Sequence, residues 1–300
     1  MNSVTSTLAE ARELFRVYCT SKGLSPRTIE TYLFSIDRLE KFLAPDGDTA
    51  IPSPRELRAF IGHMLAQGLS KQTVRVRMRS VRVFANFLER EGIVEESPMK
   101  SVEIPRVPEH RPTVLTDDQM SALVRAIDRR GWHGKRNYAM ILTFLDTGVR
   151  LSELIGLDLE DLDLRHGTIL VRNGKGARDR IVFAGQLLRR ALRHWLKARG
   201  IASPCPALFI TQRDTRMHRR AVARIVERTA ARAHLGDLRI HPHCLRHSCA
   251  TSFVRHGGSV FALQRLLGHS SMNTTRRYVT YAATALQEAH AKASPVDRLS

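Results

Sequence analysis

His243 and Arg246 have the types and the spacing needed to act together on a phosphate ester. They lie three residues apart in the segment His241–His247, and residues three apart on an α-helix share one face. An imidazole can exchange a proton with a reacting group, while a guanidinium can hold phosphate oxygens and neutralise their charge. The pair therefore predicts acid–base and electrostatic assistance to a reaction at a phosphate.

The same segment also allows a metal-binding interpretation. His243 and His247 have the i, i+4 spacing of zinc ligands on a helix, and Cys244 and Cys249 lie close in sequence. However, neither a further ligand nor a partner carboxylate is evident nearby, as a zinc site requires. We therefore favour the phosphate interpretation, and we interpret His247 as a packing or hydrogen-bonding residue.

Two further candidates, His269 and Tyr278, follow this segment along the chain. Gly268 predicts the end of a helix, which leaves His269 in a turn. Asn273 can cap a short helix that carries Tyr278. Taken alone, a histidine after a helix is more often structural, and a single tyrosine is usually part of a core. Their order after the histidine–arginine pair makes them candidates for chemistry.

The first part of the chain, residues 1–92, predicts four amphipathic helices. Apolar side chains recur at helical spacing in each of them. Ser25-Pro26 and Ser53-Pro54 mark the starts of the second and third helices, and Ser70 marks that of the fourth. Serine suits the position before a helix because its side chain caps a free N–H, and proline suits the first turn.

The fourth of these helices carries three arginines on one face, Arg75, Arg79 and Arg82. A run of charge on a helix is commonly a solvated surface. Here no carboxylates are interleaved with the arginines, so the charge is not compensated along the helix. We therefore prefer the alternative, in which this face lies against DNA.

Residues 93–115 lack a sustained period and contain four prolines, so they predict an extended linker between two domains. A second domain, residues 116–300, begins where Thr116 and Gln119 have the spacing of a capping box. Its helix from about residue 135 to 146 ends at Gly148, and a short segment, Arg150–Leu154, follows.

A hairpin comes next in this second domain. Residues 167–172 and 179–183 predict two short strands, and the turn-forming sequence of residues 173–176 joins them. Helical patterns resume near Gln186 and continue, with breaks, to the end of the sequence. The fold class is therefore mainly α, with a small antiparallel sheet in the second domain.

Composition points to a polyanionic partner. Lys and Arg number 48 against 29 Asp and Glu, which gives a formal net charge of +19 and a pI of about 10.9. Basic side chains placed on phosphates release counterions, so such a protein suits nucleic acid. The four cysteines lack the spacing of a disulfide framework, and neither a leader peptide nor a membrane-length apolar run is evident. We expect a cytoplasmic protein that associates with the nucleoid when it binds DNA.

The candidate residues, taken together and in chain order, resemble the signature of the tyrosine recombinases, the family of the phage integrases. The sequence segments around them, Leu245–Thr251 and Leu266–Ser271, are similar to those of the Xer branch of the family. The N-terminal helices resemble the family's SAM-like core-binding domain. The residues that carry the signature are Arg150, Lys175, His243, Arg246, His269 and Tyr278.

The resemblance implies a DNA strand exchanger with Tyr278 as its nucleophile. Attack of a tyrosine on a DNA phosphodiester is an in-line phosphoryl transfer with a highly charged transition state. Arg150 and Arg246 would clamp the nonbridging oxygens. The covalent 3′-phosphotyrosine conserves the energy of the broken bond, so the resemblance implies no cofactor, whether a metal ion or ATP.

The resemblance gives the remaining residues supporting roles. Lys175 would protonate the 5′-hydroxyl leaving group, His243 would serve acid–base chemistry at the tyrosine, and His269 would hydrogen-bond the phosphate. Glu153, three residues after Arg150, could orient that arginine. The family also implies a homo- or hetero-tetramer on double-stranded DNA, with a C-terminal tail that docks on a neighbouring protomer.

Some assignments have rivals within the sequence. Tyr281 is a second possible nucleophile, although its distance from His269 does not match the family pattern. Arg178 and Arg180 follow Lys175 closely and are expected to contact the DNA backbone. A type IB topoisomerase or an inert DNA-binding regulator are alternative functions. The biological role is also open, because chromosome-dimer resolvers and mobile-element integrases share this organisation.

Overall fold

The computed structural model describes residues 7–45, 47, 49–108, 112–172, 179–200 and 203–268. The chain forms two compact units, Met1–His110 and Arg111–Ser300. The N-terminal unit contains the helices α1 (Leu8–Ser21), α2 (Pro26–Leu43), α3 (Pro54–Ala66) and α4 (Lys71–Arg90).

Capping side chains define where these helices begin. Ser25, Ser53 and Ser70 each accept a hydrogen bond from a backbone N–H of the following turn, so the three predicted helix starts are confirmed. Thr7 and Glu10 form a further capping box at the start of α1. Each cap satisfies an N–H that the first helical turn leaves without a partner.

The N-terminal unit has two buried apolar clusters. In one, Phe15 of α1 contacts Phe84 of α4 edge to face, with ring centroids 5.3 Å apart. In the other, Met64 of α3 and Met78 of α4 are buried together with Leu39 of α2. Helix α4 contributes to both clusters, and its opposite face is therefore directed to solvent.

The stretch predicted as a linker, residues 93–115, divides between the two units. Met99 and Val102 are buried in a core cluster of the N-terminal unit, and the Val102 carbonyl accepts a hydrogen bond from Arg82 Nη2 at 3.0 Å. Leu115 is buried in the core of the second unit, where its N–H donates to Ser248 Oγ at 2.8 Å. Much of the stretch is therefore packed against one unit or the other.

The second unit is mostly helical with a three-stranded antiparallel sheet in the order β1-β2-β3. A 3-10 turn, Leu159–Asp161, leads into the first strand. The remaining elements are α5 (Asp117–Arg125), α6 (Gly131–Thr147), α7 (Leu151–Gly156), β1 (Leu162–Asp163), β2 (Thr168–Val171), β3 (Arg180–Phe183), α8 (Gln186–Arg199), α9 (Arg219–Arg232), α10 (Pro242–Arg255) and α11 (Val260–Leu267).

Most predicted boundaries in this unit are close to the observed ones. The Thr116–Gln119 capping box is formed, and the hairpin strands pair antiparallel as expected, with Val171 opposite Arg180. Helix α6 begins four residues earlier than predicted, at Gly131. The strand β1 was not predicted, because two residues are too short to show alternation. The turn between β2 and β3 lies outside the described residues.

Helix α6 runs through the middle of the second unit's core and packs against α8. Phe144 of α6 and Trp195 of α8 are fully buried, and the Trp195 indole N–H donates to the Leu208 carbonyl at 2.9 Å. A helix buried on nearly all sides is fixed in position. Its C-terminal end therefore provides a rigid base for the residues that follow it. Among the described residues, no helix is long and apolar enough to cross a membrane.

Candidate active site

Arg150 is placed by a tight corner between α6 and α7. Gly148 ends α6 with a φ of +62°, in the left-handed region where glycine is unstrained. A Cβ atom at this position would lie 2.8 Å from Leu267 Cδ2 and 3.3 Å from Cys249 Sγ. Glycine therefore allows the corner to lie directly against α10 and α11, and Arg150 follows two residues later.

Glu153 fixes the orientation of Arg150 through two hydrogen bonds. Its Oε2 accepts the backbone N–H of Arg150 at 2.7 Å, and its Oε1 accepts Arg150 Nη1 at 2.7 Å. The Glu153 side chain is only 6% exposed, whereas that of Arg150 is 37% exposed. The buried carboxylate thus holds a guanidinium that remains open to solvent, in the contact that the sequence spacing predicts.

Arg246 reaches the same corner from α10. It is buried, and its Nη1 and Nη2 donate to the carbonyls of Gly148 and Leu267 at 2.7 and 2.8 Å. Its Nη1 also lies 3.9 Å from Glu153 Oε2. Carbonyls at helix ends lack intrahelical partners and carry partial negative charge, so a buried cation is stabilised here. The two predicted phosphate-binding arginines therefore share one carboxylate.

Arg180, for which we predicted a contact with the DNA backbone, makes its described contacts within the protein. Its side chain is only 8% exposed, and its Nη1 and Nη2 donate to the two oxygens of Glu153 at 3.0 and 2.8 Å. Its Nε donates to the Leu266 carbonyl at 2.7 Å. The prediction took charge type to mean exposure, whereas this side chain is buried. Arg180 and the buried Val182 lie two residues apart on the same face of β3, and this spacing was the signal in the sequence that Arg180 faces the core.

The carboxyl of Glu153 is held strongly in its ionised form. Burial alone would raise its pKa, but the hydrogen bonds from Arg180 and from the Arg150 backbone and side chain outweigh that effect. The result is a pKa of about 2. Three guanidiniums around one carboxylate leave a net positive charge of two, which suits the binding of a phosphodiester.

His243 lies near these arginines, on the first turn of α10 and exposed to solvent. Partial desolvation and the positive charges of Arg246, His241 and Arg150 lower its pKa from the usual value of 6.5. Its imidazole is therefore neutral at neutral pH and can accept a proton. Its ring contacts that of His247 edge to face, with centroids 5.3 Å apart.

The alternative metal site around His243 and His247 has no support in the geometry. In the part of the chain that the structure describes, no three His, Cys, Asp or Glu side chains are grouped so that they could hold a metal ion. Cys244 Sγ instead donates to the Arg239 carbonyl at 3.2 Å, and burial raises the pKa of Cys249 to about 12.

Several predicted site residues lie outside the described residues. They are Lys175, Arg178, His269 and Tyr278, together with the rival Tyr281. The last described residue, Gly268, directly precedes His269 in sequence, and its carbonyl lies 3.5 Å from Arg150 Nη2. The described site therefore ends one residue before His269.

The three arginines of α4 differ from those of this site. Arg79 and Arg82 are exposed and Arg75 is half-buried, although Arg82 also holds the Val102 carbonyl. One feature nearby was missed from the sequence: Phe34 of α2 is 47% exposed, and the guanidiniums of Arg38 and Arg77 lie 5.1 and 5.5 Å from its ring centroid. These contacts within the N-terminal unit require α2 and α4 to be packed together, which their sequences alone do not reveal.

Comparison with known proteins identifies both units. The phage integrase family matches residues 113–284, and its N-terminal SAM-like domain matches residues 12–92. Tyrosine recombinase XerC of Pelobacter propionicus is 33% identical over 300 residues, which covers 97% of each chain. XerC of Thermodesulfovibrio yellowstonii is 34% identical over 285 residues and covers 92% of this chain and 93% of its own.

Solved structures show the same fold. XerH site-specific recombinase bound to a palindromic difH substrate in a post-cleavage complex has a TM-score of 0.75 and 23% identity, over 93% of this chain and 83% of that one. The Tn1549 transposon integrase in complex with a circular intermediate DNA has a TM-score of 0.75 and 20% identity, over 89% and 94%. The XerA recombinase is 28% identical, with a TM-score of 0.55 over 95% and 99%.

The fold and the two family matches thus define a DNA-processing class of protein. The chain belongs to the phage integrase family and is a tyrosine recombinase, an enzyme that cleaves and rejoins DNA in site-specific recombination.

Proposed function

We propose that this chain exchanges DNA strands with Tyr278 as its nucleophile and that Arg150 and Arg246 bind the scissile phosphate. The observation that carries the proposal is the convergence of both arginines on Glu153, one of them partly exposed and the other buried. Fixed cations stabilise the charge of the transition state without having to reorganise. Such a cluster suits a phosphate whose negative charge grows during the reaction.

The remaining steps rest on the resemblance to the family. Tyr278 attacks the phosphorus, the 5′-oxygen leaves with a proton from Lys175, and the 3′-phosphate becomes esterified to the tyrosine. His269 hydrogen-bonds the phosphate, and His243 exchanges the proton of the nucleophile. The lowered pKa of His243 supports this last role, because a neutral imidazole can act as a base at neutral pH. A 5′-hydroxyl of the partner strand then attacks the phosphotyrosine and rejoins the DNA.

A covalent-trapping experiment tests the nucleophile. The protein is incubated with nicked suicide DNA that carries a candidate site from its own locus, in EDTA and without nucleotide. We expect an SDS-resistant adduct that maps to Tyr278 by mass spectrometry. Tyr278→Phe should bind the DNA and abolish the adduct, which is a loss of at least about a thousandfold for removal of a covalent nucleophile.

Tyr281→Phe is the matched control, because it removes a hydroxyl three residues away. It should form the adduct at a rate close to that of the unchanged protein. An adduct at Tyr281 would overturn the choice of nucleophile while leaving the family intact. Relaxation of supercoils without exchange between two sites would instead favour a topoisomerase-like activity.

We further propose a Xer-type role in chromosome partition, with double-stranded recombination sites as the substrate and a tetramer as the active assembly. The support is that relatives with about a third of their residues identical along nearly the whole chain are named XerC. Such a protein would act in the cytoplasm, on the nucleoid. Recombination between two directly repeated genomic sites in cells, with and without a second recombinase, tests the role and the need for a partner.

A further inference from the structure

We propose that Arg180 is a positioning residue for strand cleavage, acting through Glu153 on Arg150. This inference rests on the proposed function, in which Arg150 binds the scissile phosphate. The geometry that carries it is a buried bidentate ion pair: Arg180 Nη1 and Nη2 donate to Glu153 Oε1 and Oε2 at 3.0 and 2.8 Å.

Arg180 and Arg150 divide the hydrogen-bonding capacity of the Glu153 carboxylate. Oε1 accepts one bond from each guanidinium, while Oε2 accepts Arg180 Nη2 and the Arg150 backbone N–H. A carboxylate held by a fork cannot rotate without breaking both bonds. Arg180 therefore fixes the plane of the Glu153 carboxylate, and this plane sets the position in which Oε1 holds Arg150 Nη1.

A second set of contacts joins Arg180 to the end of α11. The last three described carbonyls of this segment each receive a different arginine: Leu266 receives Arg180 Nε at 2.7 Å, Leu267 receives Arg246 Nη2 at 2.8 Å, and Gly268 lies 3.5 Å from Arg150 Nη2. Carbonyls at a helix C-terminus are unpaired and partly negative, so they attract cations. The three arginines thus hold the end of α11, and Arg180 joins it to the carboxylate that holds Arg150.

Gly268 shows how closely Arg180 approaches this turn. Its φ of +64° lies in the left-handed region, and a Cβ atom there would be 3.1 Å from both Cδ and Nη1 of Arg180. The absence of a side chain at Gly268 therefore leaves the space that the guanidinium occupies. The same backbone position ends α11 and admits the arginine.

The backbone of Arg180 adds a third connection. It is the first residue of β3, pairs with Val171 of β2, and follows Lys175 by five residues in sequence. The base of the hairpin, the carboxylate behind Arg150 and the end of α11 consequently meet at one buried side chain. A lysine could not reproduce this arrangement, because its single ammonium lacks the planar fork that holds two oxygens and a carbonyl at once.

The test compares cleavage rates of Arg180→Gln and Arg180→Lys on suicide DNA under single-turnover conditions with saturating protein. We expect DNA affinity within about twofold of the unchanged protein and a cleavage rate lower by about 100-fold for Arg180→Gln, the size expected when reacting groups are displaced by about an ångström. Arg180→Lys should restore only part of the rate. Arg189→Gln is the control, because Arg189 of α8 also donates to backbone carbonyls, but to those of Leu164 and Arg165, which are not site residues.

A bridging 5′-phosphorothioate substrate separates an action of Arg180 on Arg150 from an indirect effect on Lys175, which precedes it by five residues in sequence. Its sulfur leaves without needing a proton, so a defect confined to Lys175 would be rescued, whereas misplacement of Arg150 would not. We expect the defect of Arg180→Gln to persist on this substrate. Full rescue would overturn the route through Glu153 and Arg150.

A double-mutant cycle with Arg150→Gln completes the test. If Arg180 acts through Arg150, the double variant should cleave no more slowly than Arg150→Gln alone within about threefold. Multiplying defects, or cleavage by Arg180→Lys at the unchanged rate, would overturn the proposal. If Arg180→Gln does not fold, Arg180→Lys carries the same cycle. Failure of the unchanged protein to form any adduct would instead contradict the proposed function.

Discussion

The arginines behind Arg150 and those on α4 show two different uses of the same side chain. Arg180 and Arg246 are almost fully buried, and each makes several short hydrogen bonds. Arg79 lies exposed on α4, on the face opposite the core. A buried guanidinium has one geometry and is little screened by salt, whereas an exposed one is mobile and strongly screened. We therefore expect the buried arginines to determine the geometry of the reaction and the exposed ones to attract DNA.

Replacing Glu153 with glutamine should have the largest effect on stability, because it leaves three guanidiniums without their shared carboxylate. The folded pKa of Glu153, about 2, lies below the ordinary value of 4.5. Its ionised form therefore stabilises the fold above pH 4.5, and this contribution is lost as the pH falls towards 2. The difference in pKa corresponds to on the order of 3 kcal/mol at pH 7.

Urea unfolding at a series of pH values tests this expectation. Glu153→Gln should lower the free energy of unfolding at pH 7, and the difference from the unchanged protein should narrow by more than half at pH 3. Asp128→Asn is a suitable control, because Asp128 pairs with Arg130 on the surface. A difference that stays constant from pH 7 to pH 3 would show that Glu153 acts by packing and not by charge.

The contacts of the two units differ in how far they could be predicted from the sequence. The pair Arg150 and Glu153 is local, at i and i+3 around the start of a helix, so spacing was sufficient to predict the contact. The helix starts were predictable for the same reason. Arg180 lies 27 residues from Glu153, and only the fold brings them together. Met99 and Val102 were hidden in a proline-containing stretch whose polar composition suggested a linker.

Gly268→Ala should lower the free energy of unfolding by less than Glu153→Gln but by more than Arg79→Ala. The backbone at this position would have to keep a φ of +64°, and the new methyl group would lie 3.1 Å from Arg180 Cδ and Nη1. A left-handed conformation at a non-glycine residue costs about 1–2 kcal/mol. The displaced guanidinium should in addition slow cleavage, as measured by single-turnover trapping on suicide DNA.

Gly156→Ala is the control, because Gly156 lies at the end of α7 with open space around its Cα and no positive φ. It should leave both stability and cleavage nearly unchanged. Equal cleavage rates for Gly268→Ala and Gly156→Ala would show that the contact between Arg180 and the end of α11 is not needed for the reaction.

Arg79→Ala should have the smallest effect on the fold and a distinctive effect on DNA binding. An exposed surface arginine contributes little to stability, so the free energy of unfolding should change by less than about 0.5 kcal/mol. If Arg79 contacts a phosphate, its loss should reduce the slope of log Kd against log salt concentration by about 0.9.

Arg16→Ala is the control, since Arg16 is also exposed but is paired with Glu13 on α1. Equal slopes for the two variants would contradict DNA contact by α4. A reduced slope with an unchanged cleavage rate at saturating protein would confirm that this surface serves attraction to DNA and that the buried cluster serves the reaction.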